Sequence, residues 1–130
     1  MNEIARLAQL TKDKSVLYVE DDRDIRENVT ELLNNLFGSV RSAVDGLDGL
    51  NSYKEASYDY LITDIKMPKM NGIDMIEAVL KINPDQEVVI TTAHDEEEYL
   101  SKFKEMGVTQ VLQKPITFDS LLQTLQNIVS

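Results

Sequence analysis

The sequence predicts an α/β domain built as a doubly wound, open sheet of five parallel strands. Short β-branched runs alternate with amphipathic stretches along the whole chain, which is the pattern of βα units around a parallel sheet. Crossovers between such strands are right-handed, which leaves few topologies. Carboxylates, hydroxyls and a lysine stand at or just after the carboxyl ends of the predicted strands, where open α/β sheets bind their ligands.

Taken in order, the first strand covers residues 15–20. Behind it Ile25, Val29, Leu32, Leu33 and Leu36 recur at helical spacing, with Asp22 as N-cap and Gly38 as the stop. The second strand covers 40–44, and a weaker helical pattern runs over 46–55. The third strand is 60–63. Asn71-Gly72 then turns the chain into a helix carrying Ile73, Ile76, Val79 and Leu80, which ends at Pro84. The fourth strand covers 87–92. Asp95 and Glu98 have the spacing of a capping box for a helix through Tyr99, Leu100, Phe103 and Met106 to Gly107. The fifth strand covers 110–113, and the last helix carries Leu121, Leu122, Leu125, Ile128 and Val129. Residues 1–13 form an N-terminal extension in which Ile4, Leu7, Ala8 and Leu10 fit either an extra amphipathic helix or a coil. Residues 14–130 form one domain.

Composition narrows the function. A chain of 130 residues removes roughly two-thirds of its unfolded surface from water, enough for its own core. There is no cysteine, so disulfides, thiolate metal sites and cysteine nucleophiles are excluded. Thirteen basic against 23 acidic residues give a net charge of −10, which opposes contact with nucleic acid and with anionic membrane. No apolar run approaches the ~20 residues that span a bilayer, and the first residues lack a secretory pattern, so a cytoplasmic protein is expected.

The chemistry sits at the strand ends. Tyr60-Leu61-Ile62-Thr63 runs into Asp64, Val16-Leu17-Tyr18-Val19 runs into Glu20-Asp21-Asp22, and Val111-Leu112-Gln113 runs into Lys114-Pro115. Two carboxylates about 4 Å apart repel by ~4 kcal/mol at an effective dielectric near 20, so a cation belongs with them. Oxygen ligands without His or Cys suit Mg2+, or Mn2+, and Mg2+ completes its shell with water and phosphate oxygens. Lys114 adds a fixed cation and Thr92 a hydroxyl donor. Asp64, ionised at neutral pH, is a candidate nucleophile toward phosphorus that needs no general base. Asp22 is expected only to cap its helix. The acids of 95–98 are expected to start a helix and otherwise face solvent, and Met67, Met70, Met75 and Met106 to pack.

In order, Val-Leu-Tyr-Val-Glu-Asp-Asp, Tyr-Leu-Ile-Thr-Asp-Ile-Lys-Met-Pro-Lys-Met-Asn-Gly, Val-Val-Ile-Thr-Thr-Ala and Val-Leu-Gln-Lys-Pro-Ile resemble the receiver domain of two-component response regulators. The resemblance covers nearly the whole chain. It implies a flavodoxin-like sheet of order 2-1-3-4-5. It also implies that Asp64 is the phosphoacceptor, that Asp21 holds Mg2+ directly and Glu20 through water, and that the Lys66 backbone carbonyl completes the protein's share of the metal shell. Thr92 would be the switch hydroxyl, Lys114 the phosphate-contacting lysine, and Lys114-Pro115 a cis peptide. The implied donor is a sensor histidine kinase or a histidine phosphotransfer protein. The implied output is binding of a downstream protein target, or homodimerisation, through the fourth core helix, fifth strand and last helix. The chain would then be no enzyme beyond slow self-dephosphorylation.

Two positions depart from the pattern. Glu20 stands where Asp is also common, which suits contact through water. Val111 stands where many receivers carry Tyr or Phe as a switch aromatic, so readout is expected through the strand-four loop and the next helix, with Tyr99 or Phe103 as its side chain. Lys66 and His94 occupy positions that tend to tune hydrolysis of the acyl phosphate. The rival reading, an aspartate-nucleophile phosphatase, wants a second acid two residues after Asp64, and Lys66 stands there.

Overall fold

The computed structural model describes residues 2–128. Its elements run α1 (Glu3–Thr11), β1 (Ser15–Val19), α2 (Arg23–Asn34), β2 (Ser39–Ala43), α3 (Gly46–Glu55), β3 (Tyr60–Asp64), α4 (Gly72–Ile82), β4 (Glu87–Thr92), a 3₁₀ segment (His94–Tyr99), α5 (Leu100–Glu105), β5 (Gln110–Gln113) and α6 (Phe118–Ile128). The strands form one parallel sheet in the order β2-β1-β3-β4-β5. That is the doubly wound, flavodoxin-like arrangement, with its switch point between β1 and β3. The Lys114–Pro115 peptide is cis.

Side chains alternate across each strand, so the sheet supports two apolar layers. On one face Val16, Tyr18, Tyr60, Ile62, Val89 and Leu112 pack under α1, α2 and α6 through residues such as Leu7, Val29, Leu33 and Leu125. On the other, Leu17, Val19, Leu61, Val88 and Ile90 pack under α3, α4 and α5 through Leu50, Met75, Ile76, Val79 and Phe103. Met67, Met70 and Met106 join this second layer. The central strand β3 is buried along its full length, which anchors the acid at its end.

The N-terminal segment is helical and docked. Asn2 caps α1 by accepting the Ala5 amide at 2.8 Å. Leu7 is fully buried in the first layer. The buried Thr11 hydroxyl donates to the carbonyl of Leu36 and, at 2.9 Å, to that of Leu7. Gln126 Nε2 reaches Glu3 Oε1 at 2.7 Å, tying α1 to α6.

Several boundaries differ from the sequence expectation. β1 ends at Val19, β2 runs 39–43, and β3 extends to include Asp64. Gly38 does not close α2 with a left-handed turn; Asn35 caps the helix, and a Cβ on Gly38 would sit 2.1 Å from the Lys12 carbonyl oxygen. Close approach of the α1–β1 linker is what requires glycine there. Asp45 caps α3 by accepting the Asp48 amide at 2.8 Å, a signal the sequence reading passed over.

The segment after β4 also differs. It begins as a 3₁₀ turn, and α5 is short. The pair that closes its start is Ala93 and Glu96: the Glu96 amide donates to the Ala93 carbonyl at 3.1 Å, and the Ala93 amide donates to Glu96 Oε1 at 2.9 Å. Glu96 is therefore buried rather than solvated. The side chains of His94 and Asp95, and Val129 at the end of the last helical pattern, lie outside the described residues. Gly107 ends this helix at φ +84°, as its placement suggested. Phe103 is fully buried, so it is a core residue and offers no readout surface. Among the described residues no helix is long and apolar enough to cross a membrane.

Candidate functional site

Glu20, Asp21, Asp64 and Lys114 meet above the carboxyl ends of β1, β3 and β5. Strand alternation brings this about: Tyr18 pairs with Ile62, so Glu20 and Asp64, each two residues on, emerge on the same face. One carboxylate oxygen from each of Glu20, Asp21 and Asp64 lies within 4.8 Å of the others. Asp21 is exposed, while Glu20 and Asp64 are buried, so the cluster opens to solvent on the Asp21 side.

Each acid is held differently. Asp64 Oδ1 accepts the Ile65 amide at 2.8 Å, and its Oδ2 accepts from Lys114 Nζ at 2.8 Å. Glu20 Oε2 accepts the Asp22 amide at 3.1 Å. Its Oε1 lies 3.3 Å from Lys114 Nζ, yet without the alignment of a hydrogen bond, and among the described residues it is an orphaned buried acceptor. Asp22 caps α2 through the Ile25 amide at 3.1 Å and takes no part in the cluster.

The pKa shifts follow. Burial, then the charge of Asp64, pushes the Glu20 carboxyl up to about 7, against the pull of the Asp22 amide and Lys114. Burial lowers the Lys114 ammonium, but its hydrogen bond to Asp64 and the charges of Asp64 and Glu20 outweigh this and hold it above the ordinary lysine range. A single cation thus serves two buried carboxylates, which leaves the pair under-compensated.

This donor set fits a hard divalent cation. It is all oxygen, three carboxylates share one opening, and Glu20 Oε1 has an unfilled lone-pair direction. Among the described residues this is the one acidic group with such spacing.

Thr92 and Lys66 are placed less directly. Thr92 ends β4, is buried, and donates its hydroxyl to the Ala93 carbonyl at 3.1 Å, not to the acids. Its own carbonyl accepts the Lys114 amide at 2.8 Å, which ties the ends of β4 and β5. Lys66 lies in the loop after β3; its exposed side chain leaves the acids and places Nζ 5.7 Å from the centre of the Tyr99 ring. Val111 is half-exposed on β5.

Three residues at or near the site escaped the sequence reading. The Tyr18 hydroxyl is buried with no hydrogen-bond partner among the described residues, and burial together with the charges of Glu20 and Asp64 holds it un-ionised, well above the tyrosine range. Arg26 Nη1 donates to the carbonyls of Glu20 at 2.9 Å and Asp21 at 3.3 Å. Gly72 lies so close under β3 that a Cβ there would be 2.3 Å from the Asp64 carbonyl oxygen. Only Gly72 carried a signal, as the second residue of Asn71-Gly72; a tyrosine in a strand and an arginine on a helix carry none.

Comparison with known proteins agrees with this geometry. The family model described as response regulator receiver domain matches residues 16–126. The chain is 31% identical over 106 residues to a response regulator receiver protein of Anaeromyxobacter, covering 82% of this chain and 44% of that protein. It is 33% identical over 127 residues to chemotaxis protein CheY-3 of Vibrio cholerae, covering 93% and 95%. The chain thus spans less than half of one of these relatives and nearly all of the other. The solved structure of the Vibrio cholerae chemotaxis response regulator CheY4 superposes with a TM-score of 0.80 at 31% identity, covering 88% of this chain and 98% of that one. A match of this extent, over a sheet of this order and a site of this make-up, places the chain in the response regulator receiver domain family.

Proposed function

We propose that this receiver is a phosphorylation-activated switch whose phosphoacceptor is Asp64. What carries the reading is the carboxylate of Asp64: fixed at the end of a buried strand, hydrogen-bonded to Lys114 at 2.8 Å, and grouped with two further acids within 4.8 Å. Its donor is a phosphohistidine on a sensor histidine kinase or histidine phosphotransfer protein. An Asp64 carboxylate oxygen attacks phosphorus, the P–N bond breaks, and the imidazole departs with the bonding pair. Lys114 exchanges its carboxylate partner for a phosphoryl oxygen, and the Thr92 hydroxyl turns from the Ala93 carbonyl to donate to another.

Asp21, Asp64 and the Lys66 carbonyl would hold Mg2+, with Glu20 acting through water. The ion supplies charge neutralisation and in-line positioning for the transfer. The acyl phosphate is lost by slow hydrolysis, so the product is an altered binding surface and not a metabolite. That surface comprises the 3₁₀ segment, α5, β5 and α6, where Val111 and Tyr99 are accessible for a downstream protein target or a second copy. Lys66, bridging toward Tyr99, couples the acceptor loop to this face in place of an aromatic at position 111. The reading includes a cytoplasmic site of action.

Intact-mass analysis after incubation with acetyl phosphate and Mg2+, beside a p-nitrophenyl phosphate assay, tests it. One phosphoryl adduct per chain, absent in Asp64→Asn, with no sustained turnover is expected. Multiple turnover would favour the phosphatase reading, and no adduct would defeat the switch.

A further inference from the structure

The loop from β1 into α2 places three acids in succession, Glu20-Asp21-Asp22, and a cation from the helix it enters holds its backbone. Arg26 is half-buried on the first turns of α2. Its Nη1 donates to the carbonyl oxygens of both Glu20 and Asp21, at 2.9 and 3.3 Å. Among the described residues it forms no ion pair with a carboxylate, although acids stand at 20, 21, 22, 24 and 27. Arg23, three residues earlier, does the ordinary thing and pairs with Glu27 on the surface at 3.1 Å.

Other contacts fix the same peptides. The Glu20 amide donates to the Ala43 carbonyl at 3.1 Å, and the Asp22 amide donates to Glu20 Oε2 at 3.1 Å. Arg26 supplies what these lack, donors for the two carbonyls. With the carbonyls pinned, the planes of the 20–21 and 21–22 peptides are set, and with them the directions in which Glu20 and Asp21 leave the backbone. Three carboxylates that repel one another would otherwise splay.

We propose that Arg26 is a positioning residue for the divalent cation, holding the Glu20-Asp21 backbone so that both side chains face Asp64 before the ion arrives. The proposal rests on the reading of this cluster as the Mg2+ site. It makes a prediction opposite in sign to simple electrostatics. A guanidinium beside an incoming dication repels it, so if its charge were all that mattered, deleting it would tighten Mg2+ binding. If its hydrogen bonds matter, deletion loosens binding, as loss of a partner behind a metal ligand does elsewhere, by roughly tenfold or more.

The experiment is a Mg2+ titration followed by amide NMR on the full chain, for wild type, Arg26→Met, Arg26→Lys and Asp21→Asn, with hydrogen exchange of each metal-free protein. Arg26→Met should bind Mg2+ roughly tenfold or more weakly, and its amides at 21 and 22 should exchange faster relative to those of β3. Arg26→Lys should recover part of both, and it stands in for the methionine variant should that one not fold. Mg2+ affinity unchanged or tightened in Arg26→Met, with wild type binding normally, overturns the proposal. If wild type binds no Mg2+, or Asp21→Asn binds it equally well, the reading of the metal site fails instead. Arg26 is then judged on the metal-free exchange alone, where unchanged rates at 21 and 22 overturn its role in holding the loop.

Discussion

Among the described residues Lys114 is the one cation paired with the two buried acids, Glu20 and Asp64, and the ionisation of Glu20 responds to it. Removing the ammonium takes away the attraction that keeps the Glu20 carboxyl from rising further, since burial and Asp64 both push it up. In Lys114→Met the Glu20 carboxyl should therefore titrate above its wild-type value of about 7, as read by carboxyl-carbon NMR; an unchanged or lower midpoint would contradict the geometry. The acids and the lysine were readable in the sequence because each follows a short apolar strand, and strand ends converge in a parallel sheet. Arg26 and the Tyr18 hydroxyl were not, because the guanidinium donates to backbone carbonyls and the hydroxyl has no hydrogen-bond partner among the described residues. Glu96 was misjudged as solvated, since a run of acids before a helix gives no sign of which one turns inward.

At the scale of elements, α1 shows where pattern reading stops. Its apolar residues fit a helix, but whether a short helix forms depends on a surface to dock against, because isolated segments of this length are marginal in water. The surface is supplied by α6, by α2 and by the turn that follows α2, through Leu7 in the core and Thr11 on the Leu36 carbonyl. Leu7→Ala should cost about 2–5 kcal/mol in denaturant unfolding, where a frayed or undocked segment would give almost no change. The 94–105 stretch carries the opposite lesson. Helical spacing from Tyr99 through Phe103 to Met106 is real, but its first turn is 3₁₀ and only the later residues form α5. The reason is the Ala93–Glu96 closure, which tightens the entry. Phe103 then faces the core, while Tyr99 and Val111 remain accessible to solvent.

For the whole molecule, strict βα alternation and right-handed crossovers narrowed the topology to a doubly wound open sheet, and the resemblance to receiver domains implied the strand order that the structure shows. Fine geometry did not follow, because close approaches such as Gly38 against Lys12 depend on how distant segments meet. The same fold couples protonation, metal and stability. Glu20 titrates at about 7 in the folded chain against 4.5 ordinarily, so between those values the folded state keeps a proton that the unfolded state has lost. Its contribution to stability is full below the lower value and declines as pH rises toward the upper one. Mg2+ favours the ionised carboxyl, so its stabilisation should grow over the same interval and level off above about 7. Thermal unfolding with and without Mg2+ across this range checks the trend; a Mg2+ increment independent of pH would contradict it.

The most direct test of the site as a whole is the location of the phosphoryl group. Protein treated with acetyl phosphate and Mg2+, then with borohydride to reduce the acyl phosphate, should carry the modification at position 64 alone, and only when the divalent ion is present. Modification at another residue, or equal modification with the ion chelated, would contradict the account.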